Sequence, residues 1–475
     1  MTPEEFRRAG HELVDWIADY RERVARAEFP VMARTAPGAL RDALPKSPPQ
    51  AAEPFDAIRR DLDTLILPAC THWQDPRFFG YFPSNGLPAA VLGDLVSTGL
   101  GQLGLNWQAS PALTEIEEVS LDWWRQMLGL SERWSGVIQD TASTATFVAL
   151  ACARERASNH GAARGGLQAL DRPLMVYVSS QAHSSVEKAA LLAGFGRENL
   201  RVIQVDAQFD MRPDALASAI LEDRAAGREP CAIVATCGST ATTAFDPLID
   251  IARVARSEEL WLHVDAAMAG SGMILPECRE LWNGVESADS LVVNPHKWLG
   301  VSFDCSTYFV RDPEFLVRVM STNPSYLKTA ADGQVKNYRD WGIPLGRRMR
   351  ALKLWFVIRE QGVTQLQERL RRDLGHARWF ESEVARTPHW KLLAPVRLQT
   401  LVLRHEPPGI TGDALDAYTQ GWVKAINESG AAYLTPAIID GRWAVRVSFG
   451  ATATERQHVV DLWQLMREMA GRVVP

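Results

Sequence analysis

Five apolar runs along this 475-residue chain each end at a group that could do chemistry. "VVNPHKWLG" (292–300) sets Lys297 between His296 and Trp298. "LWLHVDAA" (260–267) carries Asp265 at its end and Ala267 two residues on. "GVIQD" (136–140) runs into Thr141, Ala142, Ser143 and Thr144; "LMVYVSS" (174–180) is followed by His183, and "CAIVATCGS" (231–239) by Thr240. Singly, each has a plain reading: a solvated lysine, a turn aspartate, a helix-capping histidine. Together they supply an amine for a Schiff base and a carboxylate to keep a ring nitrogen protonated. They add small hydroxyl residues at a helix start for a dianionic phosphate, an imidazole to stack on a flat ring, and an alanine for its other face. That is the set pyridoxal 5'-phosphate requires. Its cationic neighbourhood and an apolar strand end are expected to favour the neutral, nucleophilic Lys297. His296 reads equally as part of this site or as a satisfied structural histidine.

Such groups meet only if the strands lie side by side, since ligands of open α/β sheets bind beyond the carboxyl ends of the strands. The runs are continuously apolar rather than alternating, which predicts strands covered on both faces in a mostly parallel sheet. No dinucleotide or P-loop glycine motif stands at any strand exit. Residues 1–28 predict an amphipathic helix with a Thr2–Glu5 capping box and Pro3 at its first position. Its stripe of Phe6, Leu13, Ile17 and Val24 needs another domain or subunit to cover it. "THWQDPRFFGYFPSNG" (71–86) is an aromatic loop, either packed or facing a ligand. After Gly346 a helical region runs towards residue 386 with a break near Gly362. A strand ("VRLQTLVLRHE"), a helix ending at Gly430, a hairpin turning at Asp440-Gly441 and a closing helix follow. The expected domains are an N-terminal helical segment (1–85) packing on a partner subunit, a large cofactor domain (86–362) and a small C-terminal α/β domain (363–475).

The net charge of −6 gives no reason to expect nucleic acid or an anionic membrane as partner, and no apolar run is long enough to span a bilayer. The N-terminus carries Glu4 and Glu5 and no apolar segment, so no secretory signal is expected. The six cysteines form no C-x-x-C pair, which predicts reduced thiols in a cytoplasmic protein and no metal site.

"FFGYFPSNG", "NWQASPALTEIE", "GVIQDTAST", "AHSSVEKAALLAG", "HVDAAMAGS", "NPHKWLG", "NPSYLK" and "WGIPLGRRMRALKLWF" occur in this order. With them the chain resembles, over nearly its whole length, the group II pyridoxal-phosphate-dependent decarboxylases, specifically the aromatic-L-amino-acid decarboxylases that include bacterial DOPA decarboxylase. The resemblance implies an aspartate-aminotransferase-type fold (fold type I), active as a homodimer with the site at the subunit interface. It implies removal of CO2 from DOPA, tyrosine, tryptophan or phenylalanine to give the amine. Lys297 then bears the cofactor, Asp265 pairs with the ring nitrogen, His183 stacks and Ala267 packs opposite. Ala142, Ser143 and Asn294 hold the phosphate, Thr240 lies at the polar edge, and His296 adjoins the lysine. Trp73, Tyr81, Phe82 and Ser84 surround the substrate, Gly346 leaves room there, and Leu103 and Leu105 reach in from the partner. Tyr326, on a lid over 321–337, protonates the carbon left by CO2. Met268 and Leu105 stand where animal relatives carry aromatics, which touches substrate choice. Three rivals share the cofactor: an aminotransferase gripping the carboxylate (Arg446 is the residue to watch), a glutamate decarboxylase (Arg77 is the only arginine of the aromatic loop), and a non-catalytic cofactor-binding relative. An oxidative, aldehyde-forming side reaction also stays open.

Overall fold

The apolar runs become the strands of one sheet in the computed structural model, which describes residues 1–322, 329, 331 and 333–473. The chain divides into two compact units: Ser84–Ala377 with Leu393–Leu401, and Met1–Pro83 with Arg378–Leu392 and Val402–Pro475. In the first, β1 (Ser135–Gln139), β2 (Leu174–Ser179), β3 (Leu200–Ile203), β4 (Glu229–Thr236), β5 (Trp261–Asp265), β6 (Ser290–Val293) and β7 (Ser306–Val310) form a sheet of order β1-β7-β6-β5-β4-β2-β3. The neighbours from β6 through β3 pair in parallel, and β7 runs antiparallel to both β6 and β1. Strands β2, β5, β6 and β7 are buried along their whole length, as continuous apolar runs require. The Ala142–Ala157 helix crosses one face against β4 to β7, and its Ala145, Ala149 and Ala153 let it lie close. Each fully buried Val, Leu or Ile of this core contributes roughly 1.5–3 kcal/mol.

Strand β1 is an edge strand, and a buried ion pair caps its open side. Glu117, on the Pro111–Leu128 helix, accepts from the Ile138 N–H at 2.8 Å. Arg347 donates to both oxygens of Glu117 (2.7 and 2.9 Å) and to the Ile138 carbonyl (2.7 Å). Both backbone groups of Ile138 that face away from β7 are thereby paired.

The other unit carries β8 (Trp390–Leu392), most of β9 (Thr400–His405), β10 (Thr435–Ile439) and β11 (Arg442–Ser448), in the order β10-β11-β9-β8. The β10–β11 hairpin turns at Asp440 and Gly441, both with positive φ (49° and 74°), as the sequence predicts. The Gly412–Ser429 helix packs on β11 and on the Arg456–Val473 helix, and stops at Gly430. The N-terminal helix spans Pro3–Ala25 and begins with the predicted capping box, Glu5 N–H to Thr2 at 3.2 Å and Thr2 N–H to Glu5 at 2.7 Å. Of its stripe, Val24 is buried and Phe6 stays exposed. Residues 77–79 are held in place by backbone bonds: Phe79 N–H to Tyr433 O, Tyr433 N–H to Arg77 O, and Ser448 N–H to Phe79 O. The long helical region, Ala351–Arg386, breaks at Gly362 (φ +64°) as expected. All six cysteines are thiols, five of them buried. Among the described residues, no helix is long and apolar enough to cross a membrane.

Candidate active site

Every strand exit singled out in the sequence contributes to one cavity of about 180 Å³ in the larger unit. Ala142, Ser143, His183, Thr240, Asp265, Ala267, Asn294, His296 and Lys297 all line it. A wider cleft of about 950 Å³ opens by Ser135 and Gly136, at the amino end of β1, and its Arg125 is held by Asp122 at 2.7 Å. It lies away from the carboxyl ends where Lys297 stands.

Asp265 closes β5, and its Oδ1 accepts the Ala267 N–H at 3.0 Å, a bond that fixes the carboxylate in the cavity wall. Lys297 sits on a single π-helical turn, Pro295–Leu299, that follows β6. That turn is clamped on all sides. The Lys297 N–H bonds the Asn294 carbonyl at 3.0 Å. His296 Nδ1 accepts the Cys305 N–H at 2.9 Å, and the Ser84 hydroxyl donates to the His296 carbonyl at 2.6 Å. Trp298, fully buried, donates its Nε1–H to Asp373 at 3.0 Å, and Arg369 donates to the carbonyls of Trp298 (3.0 Å) and Leu299 (2.7 Å). Burial, aided by the neighbouring Lys297 charge, pushes the His296 imidazole down to about 3, and burial pushes the Asp373 carboxyl up to about 6. His296 is therefore a neutral brace of the lysine's turn that also faces the cavity.

His183 caps the Ser184–Leu192 helix: its Nδ1 accepts the Ser185 N–H at 3.1 Å and meets the Ser185 hydroxyl at 2.8 Å. Burial lowers its pKa, with Asp265 opposing and Lys297 assisting, so the ring is neutral at pH 7. The Ala142–Ala157 helix starts at the cavity with no side chain capping its first N–H groups. An uncapped helix start beside small residues fits a phosphate. Asn294 Oδ1 accepts from Ser306 at 2.6 Å, which leaves its Nδ2 as the donor. Lysine, carboxylate, neutral imidazole and open helix start together fit pyridoxal 5'-phosphate.

Four cavity residues carry no signal in the sequence: Ser185, Thr236, Gly238 and Ser239. Gly238 has φ +82°, and a Cβ there would stand 2.2 Å from that of Ala269. Ser84 reaches the site through His296. Leu103 and Gly346 lie against each other, Leu103 Cδ1 being 3.1 Å from where a Gly346 Cβ would stand, and neither they nor Leu105 line the Lys297 cavity. Trp73, Tyr81 and Phe82 belong to the smaller unit, where Trp73 stacks on Phe78 and Tyr81, and Phe82 packs at Gly450. There too lie Arg77, held by Asp75 at 2.7 Å, and the buried Arg446, which donates to the Tyr81 carbonyl. Tyr326 lies outside the described residues.

Residues 37–405 match the pyridoxal-dependent decarboxylase conserved domain. The chain is 40% identical to tyrosine decarboxylase 4 of Petroselinum crispum, covering 100% of this chain and 95% of that one. It is 39% identical to a phenylacetaldehyde synthase of Arabidopsis thaliana, covering 99% and 97%. The crystal structure of Oryza sativa TDC with PLP and tryptamine superposes with a TM-score of 0.96 at 36% identity, covering 100% of this chain and 99% of that one.

Proposed function

The chain belongs to the pyridoxal-dependent decarboxylase family, and from that premise we propose that it converts an aromatic L-amino acid to its amine and CO2. The observation that carries this reading is the convergence of Lys297, Asp265 and His183 with an uncapped helix start in one cavity. The aromatic substrate class rests on the likeness to a tyrosine decarboxylase and to a TDC structure holding tryptamine.

Bound in the cavity, pyridoxal 5'-phosphate supplies an aldehyde and a protonated ring that accepts electrons from a breaking bond. The chain's own residues do the rest. Lys297 offers the amine that holds the aldehyde between turnovers, and its clamped turn keeps that amine in place. Asp265 holds a proton at the ring nitrogen. His183, neutral and pinned through Nδ1, would stack on one ring face, and the small Ala267 would leave room at the other. The first N–H groups at Ala142 and Ser143, with Asn294 Nδ2, would hold the phosphate. We assign Tyr326 as the acid that protonates the carbon afterwards, because a phenol donates to a strong base yet stays neutral at pH 7.

The likeness to a phenylacetaldehyde synthase favours a second reading, in which O2 takes the electron pair left by CO2 and becomes hydrogen peroxide, and water then releases aldehyde and ammonia. One experiment tests both. Purified protein with added cofactor is given DOPA, tyrosine, tryptophan and phenylalanine in turn, and CO2, amine, aldehyde and ammonia are measured. Amine equal to CO2 supports decarboxylation. Aldehyde equal to CO2 supports the second reading. No CO2 from any of the four overturns both. In Tyr326→Phe, CO2 release should persist while its partner product shifts from amine towards aldehyde.

A further inference from the structure

We propose that Thr236 is a further cofactor-contacting residue, donating a hydrogen bond from the cavity wall to the bound pyridoxal 5'-phosphate; this rests on the reading of the cavity given above. Thr236 ends β4, and in the parallel register its partner is Asp265 at the end of β5. Paired residues of neighbouring strands point to the same face, so the hydroxyl and the carboxylate stand side by side. Both line the cavity.

What distinguishes Thr236 is an unmet bond. Thr236 is 4% exposed, and its Oγ1 has no hydrogen-bond partner. The other buried hydroxyls of the wall have theirs: Ser185 with His183 at 2.8 Å, and Ser239 with Thr242 at 2.8 Å. The backbone of Thr236 is satisfied too. Its N–H donates to Asp246 Oδ2 at 2.7 Å, and its carbonyl accepts the Asp246 N–H at 3.0 Å. Those two bonds pin the strand end and fix where the side chain points. A buried hydroxyl without a partner is disfavoured unless something that fills the cavity accepts its hydrogen bond. The cofactor, rich in oxygen acceptors, is that partner.

The test separates a hydroxyl that serves the cofactor from one that serves the fold. Thr236→Val keeps the β-branched shape and removes only the hydroxyl. Thr236→Ala removes it with less volume, and Thr236→Ser keeps it. Holoenzyme and the same preparation stripped of cofactor are compared by thermal melting and by absorbance titration with pyridoxal 5'-phosphate. For Val and Ala we expect a loss of cofactor affinity of roughly three- to tenfold, the worth of one neutral hydrogen bond. Ser should bind like wild type. The stripped Val variant should melt at or above the wild-type temperature, because without cofactor the hydroxyl has nothing to lose. Unchanged affinity in the Val variant overturns the inference, as does a stripped Val variant that melts below wild type. Wild-type protein that fails to bind pyridoxal 5'-phosphate overturns the functional reading itself, and this inference with it.

Discussion

The chemistry of this chain turns on which buried groups stay charged. In the proposed reaction Asp265 keeps its charge to hold a proton on the ring, and an amide in its place cannot. Asp265→Asn should melt within a few degrees of wild type but lose about 10²-fold or more in turnover, the scale of removing one charge-stabilising group. A variant within a few-fold of wild type would remove Asp265 from that role. The histidines work the other way. Burial pushes His263 down to about 4 and His296 down to about 3, from an ordinary 6.5. Both are neutral in the fold and take up protons more readily when unfolded. Their contribution to stability is whole above pH 6.5 and is lost as pH falls towards 4 and 3. Asp246 opposes them: burial raises it to about 7, so its contribution is whole below 3.8 and is lost as pH rises through 7. His296→Asn, which keeps an acceptor for the Cys305 N–H, should flatten the fall in melting temperature between pH 6.5 and 4. An unchanged slope would mean that His296 is charged in the fold.

Elements made of one long apolar run are legible in the sequence itself: β1, β2, β4, β5 and β6 stand where their runs predict, with Asp265 and Lys297 at or just beyond their ends. Strand β7 is not, because "STYFV" opens on Ser306 and Thr307, which read as surface. Both are buried, and their hydroxyls bond Asn294 and the Val293 carbonyl, partners that exist only once β6 lies alongside. Strand β3 is half exposed and carries Arg201, so no apolar run marks it. Thr236 hides inside "CAIVATCGS", since nothing in a strand's last residue tells that its hydroxyl will lack a partner. The Pro88–Leu100 and Pro111–Leu128 helices are legible as well: each opens on a proline and stops at a left-handed glycine, Gly101 and Gly129, and Leu113, Leu121, Trp124 and Leu128 form the buried stripe of the second. The second of these helices gives a prediction of its own. Glu117 and Arg347 are both buried, so breaking the pair strands a charge. Arg347→Met should cost roughly 3–5 kcal/mol in urea melts, and Glu117→Leu added to it should recover only part, because it leaves Ile138 N–H and C=O unpaired. A single variant as stable as wild type would show that β1 does not depend on the pair.

At the scale of the whole molecule, one helix carries an exposed apolar face. On the Pro88–Leu100 helix, Leu95 and Leu100 are 54% and 56% exposed, with Leu92 and Val96 beside them. A second copy of this chain is the proposed cover. Light scattering should give a homodimer, and Leu95→Asp with Leu100→Asp should give a monomer with little turnover. A wild-type protein that is active as a monomer would end the idea. The sheet itself carries a consequence for how the protein is made. Strand β1 pairs with β7 alone, Ser135 lying opposite Val310. A ribosome adding about 5–20 residues per second needs roughly ten to thirty seconds to travel from one strand to the other. For all that time the nascent chain holds an apolar strand with an open edge, ready to pair with a neighbouring copy on the same message. Slowing translation between residues 140 and 306 should therefore lower the soluble yield, and slowing it well beyond Arg347, once both edges of β1 can be covered, should not.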